Sequence, residues 1–234
     1  MLGPVDYFLW FASAALEAGV VLCAIWKRAF FRYFTLNLYM LAAFVSTLVR
    51  FFVFQAHGFS SPHYIYTYYY SDALLTICLY FALMGLFVHV FEEMDIARYV
   101  RVATLLLLGG TSWFSYQVIS GASDRMTDRF VVELSQNLYF VGLVVSYVLA
   151  GAMMKVRETR LRLIQLVLSF GVYFSALAAF YAARNMFPAM IPYVRWLPAI
   201  TGTLLPLAWI YAYTKVSEEA RLATARVAAV QHSK

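Results

Sequence analysis

Seven stretches of about 20 or more largely apolar residues constrain this chain more than any other feature. They run over Pro4–Trp26, Tyr33–Gln55, Tyr68–Phe91, Tyr99–Ile119, Val131–Met154, Leu161–Ala183 and Pro192–Thr214. A helix needs about 20 such residues to cross about 30 Å of hydrocarbon. Together they take up most of the 234 residues and leave no room for a separate soluble domain. The expected fold is all-α, a polytopic membrane protein whose seven-transmembrane-helix bundle occupies residues 1–215. A short, polar, alanine-rich helical tail is expected over residues 216–234. A porin-like barrel would alternate polar and apolar residues in segments of about ten. Runs such as Thr104–Gly110 and Leu138–Met154 are almost continuously apolar instead.

Composition supports lipid as the solvent. The chain is 63% apolar and 13% charged, against about 25% charged in an average soluble domain. Disorder is excluded because 18% of the residues are aromatic. Alternating the loops between two sides puts 13 of the 18 Lys and Arg residues on the side of Lys27, Arg28 and Arg32. The positive-inside rule then predicts an outside N-terminus and a cytoplasmic C-terminus. The net charge of +6 needs no nucleic-acid partner. The positive Lys27-Arg28 pair follows the first apolar stretch rather than preceding it, so that stretch reads as a span and not a cleavable signal. Cys23 and Cys78 lie within spans and suggest no disulfide framework.

Charge is so scarce that few positions can carry chemistry. Glu17 lies a little past the middle of the first helix, among Ala12, Ser13, Ala14, Ala15, Ala18 and Gly19. Small residues let helices approach closely, so this face is expected inside the bundle. An ionisable group at that depth is a functional hypothesis by default, here a proton or ion site. The plainer reading is a structural carboxyl bonded to a neighbouring hydroxyl or carbonyl. Arg50 and Asp72 fall about one turn inside the outer ends of adjacent antiparallel helices, where they would pair. A structural clasp is the simpler role for that pair, and a ligand site the sharper one.

Aromatic residues mark the interfaces. The densest group is Tyr64, Tyr66, Tyr68, Tyr69 and Tyr70. An interfacial belt explains it most simply. The functional alternative is an external rim in which Tyr66, Tyr68 and Tyr69 join Arg184 and Arg195 around a pocket. His57 and His63 lack further metal ligands nearby, and His89 has no histidine at its depth, so neither zinc nor haem is expected. No cofactor-binding motif, catalytic constellation or phosphate-binding glycine loop stands out. Pro206, with Gly202 four residues earlier, invites a kink in the seventh helix.

Helices one to three weakly resemble helices five to seven. Phe91-Glu92-Glu93 and Ser217-Glu218-Glu219 lie 126 apart, and Leu9-Trp10-Phe11 and Leu138-Tyr139-Phe140 lie 129 apart. Such a layout would put two repeats in the same orientation, as in some sugar transporters, but the Pro-Gln pairs of that transporter family are missing. The lysine that a retinal protein needs in mid-helix seven is missing too, as are the receptor motifs after helix three and in helix seven. Other features carry a looser resemblance. These are Leu16-Glu17, the Lys27-Arg28 to Arg32-Tyr33-Phe34 turn, Tyr66-Thr67-Tyr68-Tyr69-Tyr70, and Val90-Phe91-Glu92-Glu93. Their order resembles a family of bacterial, acidobacterial-type seven-helix integral membrane proteins. The resemblance implies a fold and an inner-membrane location and brings no activity.

Three functions follow, in order of expectation. The first is a non-enzymatic membrane subunit or sensor, whose partner besides lipid is a membrane protein or a second copy. The second is a small-solute or ion transporter using Glu17 with Arg50 and Asp72. The third is an enzyme acting on lipid or quinone.

Overall fold

The computed structural model describes residues 4–91, 97–119, 126–155, 160–187, 189, 191–194 and 196–216. The proposed tail beyond residue 216 lies outside them, as do Glu92, Glu93 and Arg195. Helices account for nearly all that is described: α1 Pro4–Trp26, α2 Phe34–His57, α3 Pro62–Val90, α4 Ala97–Ile119, α5 Met126–Lys155, α6 Leu161–Met186, the four-residue α7 Ile191–Val194, and α8 Leu197–Lys215. The architecture is therefore all-α, built from seven long helices.

Five helical segments are long and apolar enough to cross a membrane: Asp6–Trp26, Phe34–His57, Pro62–Val90, Phe130–Lys155 and Leu161–Met186. The other two long helices, α4 and α8, are not among these segments. Arg98 and Arg101 open α4, and Gly109, Gly110, Thr111 and Ser112 interrupt it. The 19-residue α8 contains Thr201, Thr203 and Pro206. The outward faces are apolar, with Leu22, Leu106 and Val172 each about two-thirds exposed (66%, 70% and 67%).

Helix ends depart from the apolar stretches where local chemistry favours it. The helix α3 begins six residues before Tyr68, because the Ser61 hydroxyl caps it by accepting from the Tyr64 N–H at 3.1 Å and Pro62 opens its first turn. The helix α5 begins five residues before Val131, since hydropathy sets where a span starts and not where a helix must. The expected seventh span divides into α7 and α8, with Pro198 in the first turn of α8. After α1 the chain turns sharply: Ala29 N–H donates to Ala24 O at 2.8 Å and Arg28 N–H to Ile25 O at 3.0 Å. Arg28 takes the left-handed conformation that this helix-ending motif requires (φ 53°).

Neighbouring helices close a ring in the order α1, α2, α3, α5, α6, α8 and back to α1, while α4 packs on the outside against α5 and α3. Moving α1, α2 and α3 onto α5, α6 and α8 reproduces this ring order. The core lies toward one end of the bundle, and all six helices of the ring contribute to it. There Trp209, Tyr213, Phe170, Phe174, Leu36, Met40, Leu79 and Leu83 are almost wholly buried. Asn37 pins the base, its amide donating to Tyr33 O at 3.0 Å and Phe30 O at 3.1 Å. Its carbonyl accepts from the Tyr213 hydroxyl at 3.1 Å, which ties α8 to α2.

Close approach of α5 to α6 depends on Gly142. A methyl group there would strike the Phe174 ring, whereas one at Gly151, also on α5, would meet nothing within 4 Å. We therefore expect Gly142→Ala to cost about 1–3 kcal/mol. Thermal unfolding in detergent should show a lower midpoint for Gly142→Ala and little change for Gly151→Ala. Equal effects would place the constraint elsewhere.

Candidate functional site

Toward the other end of the bundle the helices part around a cavity of about 360 Å³. It runs from Asp6, Tyr64 and Trp196 near the helix ends down to Glu17, Tyr39 and Tyr173. Asp6 and Glu17 are eleven residues apart on α1, a depth of about 16 Å. Below these residues Trp209 and its neighbours seal the bundle. Tyr39 packs against the Trp209 ring, with centroids 6.1 Å apart. The Trp209 indole donates to Ser169 Oγ at 2.9 Å. The cavity thus opens toward the α2–α3 end and is closed at mid-bundle.

Glu17 sits at its floor, 8% exposed. Both carboxylate oxygens accept hydroxyl donors, Oε1 from Ser13 at 3.1 Å and Oε2 from Thr47 at 2.9 Å. The Ser13 contact follows from i, i+4 spacing on one helix face. The Thr47 contact exists only because α2 packs against α1. Among the described residues Glu17 has no ion-pair partner.

Arg50 and Asp72 line the same cavity higher up. Arg50 Nη2 stands 4.0 Å from Asp72 Oδ1, with the side chains 17% and 26% exposed. The guanidinium is held mainly by other groups. Its Nε donates to Ser71 Oγ at 2.7 Å, and Nη2 donates to Tyr68 O at 3.3 Å. It also stacks over the Tyr68 ring at 4.5 Å from the centroid. Ser135 is buried beside the Asp72 carboxylate.

The three intramembrane candidates therefore share one cavity. The rim residues divide. Tyr68 lines the cavity and Tyr69 packs edge-on against it. Tyr66 stacks on Tyr70 at 6.4 Å and is 48% exposed, away from the cavity wall. Arg184 is exposed at the end of α6. Arg195 lies outside the described residues. His57 and His63 stack at 4.8 Å in the α2–α3 turn. No group of three metal-ligating side chains occurs among the described residues.

Sequence reasoning missed Tyr39, Tyr139 and Tyr173. These tyrosines come from three different helices and line the deep part of the cavity, with the Tyr173 hydroxyl between those of Tyr39 and Tyr139. Tyr139 also bonds Thr76 Oγ1 at 3.2 Å. The available signal was a tyrosine in mid-span, whose hydroxyl needs a partner when buried. A larger hollow of about 650 Å³ between α6 and α8 is walled mainly by Leu168, Val172, Leu204, Leu205 and Ala208. Its apolar walls offer little to orient a ligand.

Comparison with protein-family models, curated proteins and solved structures finds no match. Arguments about function therefore rest on the cavity itself. Arg50→Met should cost about 1–3 kcal/mol by leaving the Asp72 carboxylate without its cation. Adding Asp72→Asn should recover part of that loss. Unfolding of the two single variants and the double variant in detergent gives the coupling, and strict additivity would show that the pair does not interact.

Proposed function

We propose that the protein is a membrane carrier for a small polar solute or ion, with Glu17 as its intramembrane carboxylate. The observation that carries this reading is the position of Glu17 on the floor of a polar cavity, bonded only to hydroxyls. A purely structural carboxyl would be sealed by packing. This one borders space, and the volume of about 360 Å³ falls within the usual range for small-molecule pockets. Binding sites in the middle of a bundle, between halves of the same fold, are common in carriers.

On this reading α4 and α8 also cross the membrane. Their 23 and 19 residues extend about 35 and 28 Å. The bias of basic residues places the cavity mouth outside and the Trp209 seal toward the cytoplasm, in a bacterial inner membrane. Rocking of α1–α3 against α5, α6 and α8 would open the seal and close the mouth. A subunit or sensor role through partner contacts uses the same lipid-facing surface, but the cavity gives it no residue to act through.

The test is flux. Vesicles containing the protein and a trapped pH-sensitive dye would be challenged with cationic, zwitterionic and neutral solutes. At least one solute class should move protons across wild-type vesicles at least tenfold faster than across Glu17→Gln vesicles, taking general losses at a proton-handling group as guide. If wild type and Glu17→Gln cannot be told apart with any class, the carrier reading fails.

A further inference from the structure

Several donors on the cavity walls are already committed to the protein. Ser13 and Thr47 direct their hydroxyl protons to Glu17. The Trp10 indole N–H points to Thr47 O at 3.3 Å. Arg50 commits Nε and Nη2 to Ser71, Tyr68 and Asp72. The same lining carries the Glu17 carboxylate and the side chains of Tyr39, Tyr139 and Tyr173. Gly202 lines the same wall, and its carbonyl lacks the usual helical donor because Pro206, four residues on, has no N–H.

Aromatic faces with a carboxylate at their centre attract positive charge. The protein already uses the upper part of the cavity this way, with the Arg50 guanidinium stacked on Tyr68. The floor sets a carboxylate and tyrosines together, and among the described residues lining the cavity Arg50 is the only Lys or Arg.

From this we infer that the floor of the cavity binds a small organic monocation, an ammonium group seated between Glu17 and the rings of Tyr39 and Tyr173. The inference rests on the carrier reading and names its substrate class. The positive charge takes the place of a proton on Glu17, so cation and proton exclude one another there. The ammonium could belong to a free amine or to the headgroup of a lipid reaching in from the mouth.

A carboxyl-directed apolar carbodiimide tests this in the full chain. The protein would be placed in nanodiscs of phosphatidylglycerol, and modification of Glu17 followed by peptide mass mapping. Choline and ethanolamine should protect Glu17. The uncharged isostere 3,3-dimethyl-1-butanol should protect at least tenfold less, because it lacks the charge. Tyr173→Ala should weaken protection by choline about tenfold, while Tyr173→Phe, which keeps the ring, should stay within about threefold of wild type. Thermal unfolding of each variant confirms that it is folded.

Adding phosphatidylethanolamine to the nanodiscs separates the two sources. Protection without any free amine identifies a headgroup, and protection only by added amine identifies a soluble ligand. Equal labelling with and without either cation overturns the inference, as does protection by the alcohol equal to that by choline. Both outcomes leave the carrier reading intact if flux still depends on Glu17. A Glu17 that never reacts removes the accessible cavity, and with it both proposals.

Discussion

A carboxyl group at the middle of an apolar helix has to be solvated by something, and α1 cannot do this alone. Ser13 supplies one bond from the preceding turn. The second comes from Thr47 on α2, so the position of α2 is coupled to the polarity of Glu17. The Trp10 indole adds a bond to the Thr47 carbonyl between the same two helices. With α1 and α2 joined this way, Ser13 and Glu17 border the cavity, while Gly19 lies close against Ile210 of α8. The cavity is what remains between that polar seam and the far wall of Tyr139 and Tyr173.

The other half of the bundle uses the opposite strategy. Large side chains pack it, and Asn37, buried at its base, bonds three backbone carbonyls and Tyr213. A buried polar network that is fully satisfied holds helices in a defined arrangement. The contrast between a closely packed base and a polar upper half gives the molecule its single-ended cavity. It also explains why Pro206 is tolerated, since a proline in mid-helix frees a carbonyl that must find water, a ligand or another donor.

Much of this was legible before the structure. Long apolar stretches imply helices, because a chain in hydrocarbon must satisfy its backbone internally. Glu17, Arg50 and Asp72 stood out through rarity alone, and they do share a cavity. The tyrosines did not stand out, because in a chain with 18 of them a mid-span tyrosine looks like packing. Tyr66 lies off the cavity wall for a geometric reason. Consecutive helical residues point in different directions, so the five tyrosines between Tyr64 and Tyr70 cannot all face one pocket. The early start of α3 was readable from Ser61-Pro62, which hydropathy ignores.

By itself, then, the sequence determined that this is a helical chain with long membrane-compatible segments, and which few charged groups lie within them. Both properties are local, set by hydropathy and spacing along one helix. Only the tertiary structure decided that Glu17 meets Thr47, that tyrosines from α2, α5 and α6 converge, and that α4 stands outside the ring. Those depend on which helices become neighbours and how each is rotated, and that is settled by packing between segments far apart in the chain. The cavity belongs wholly to this second kind of information, because an empty space has no residue of its own to be read.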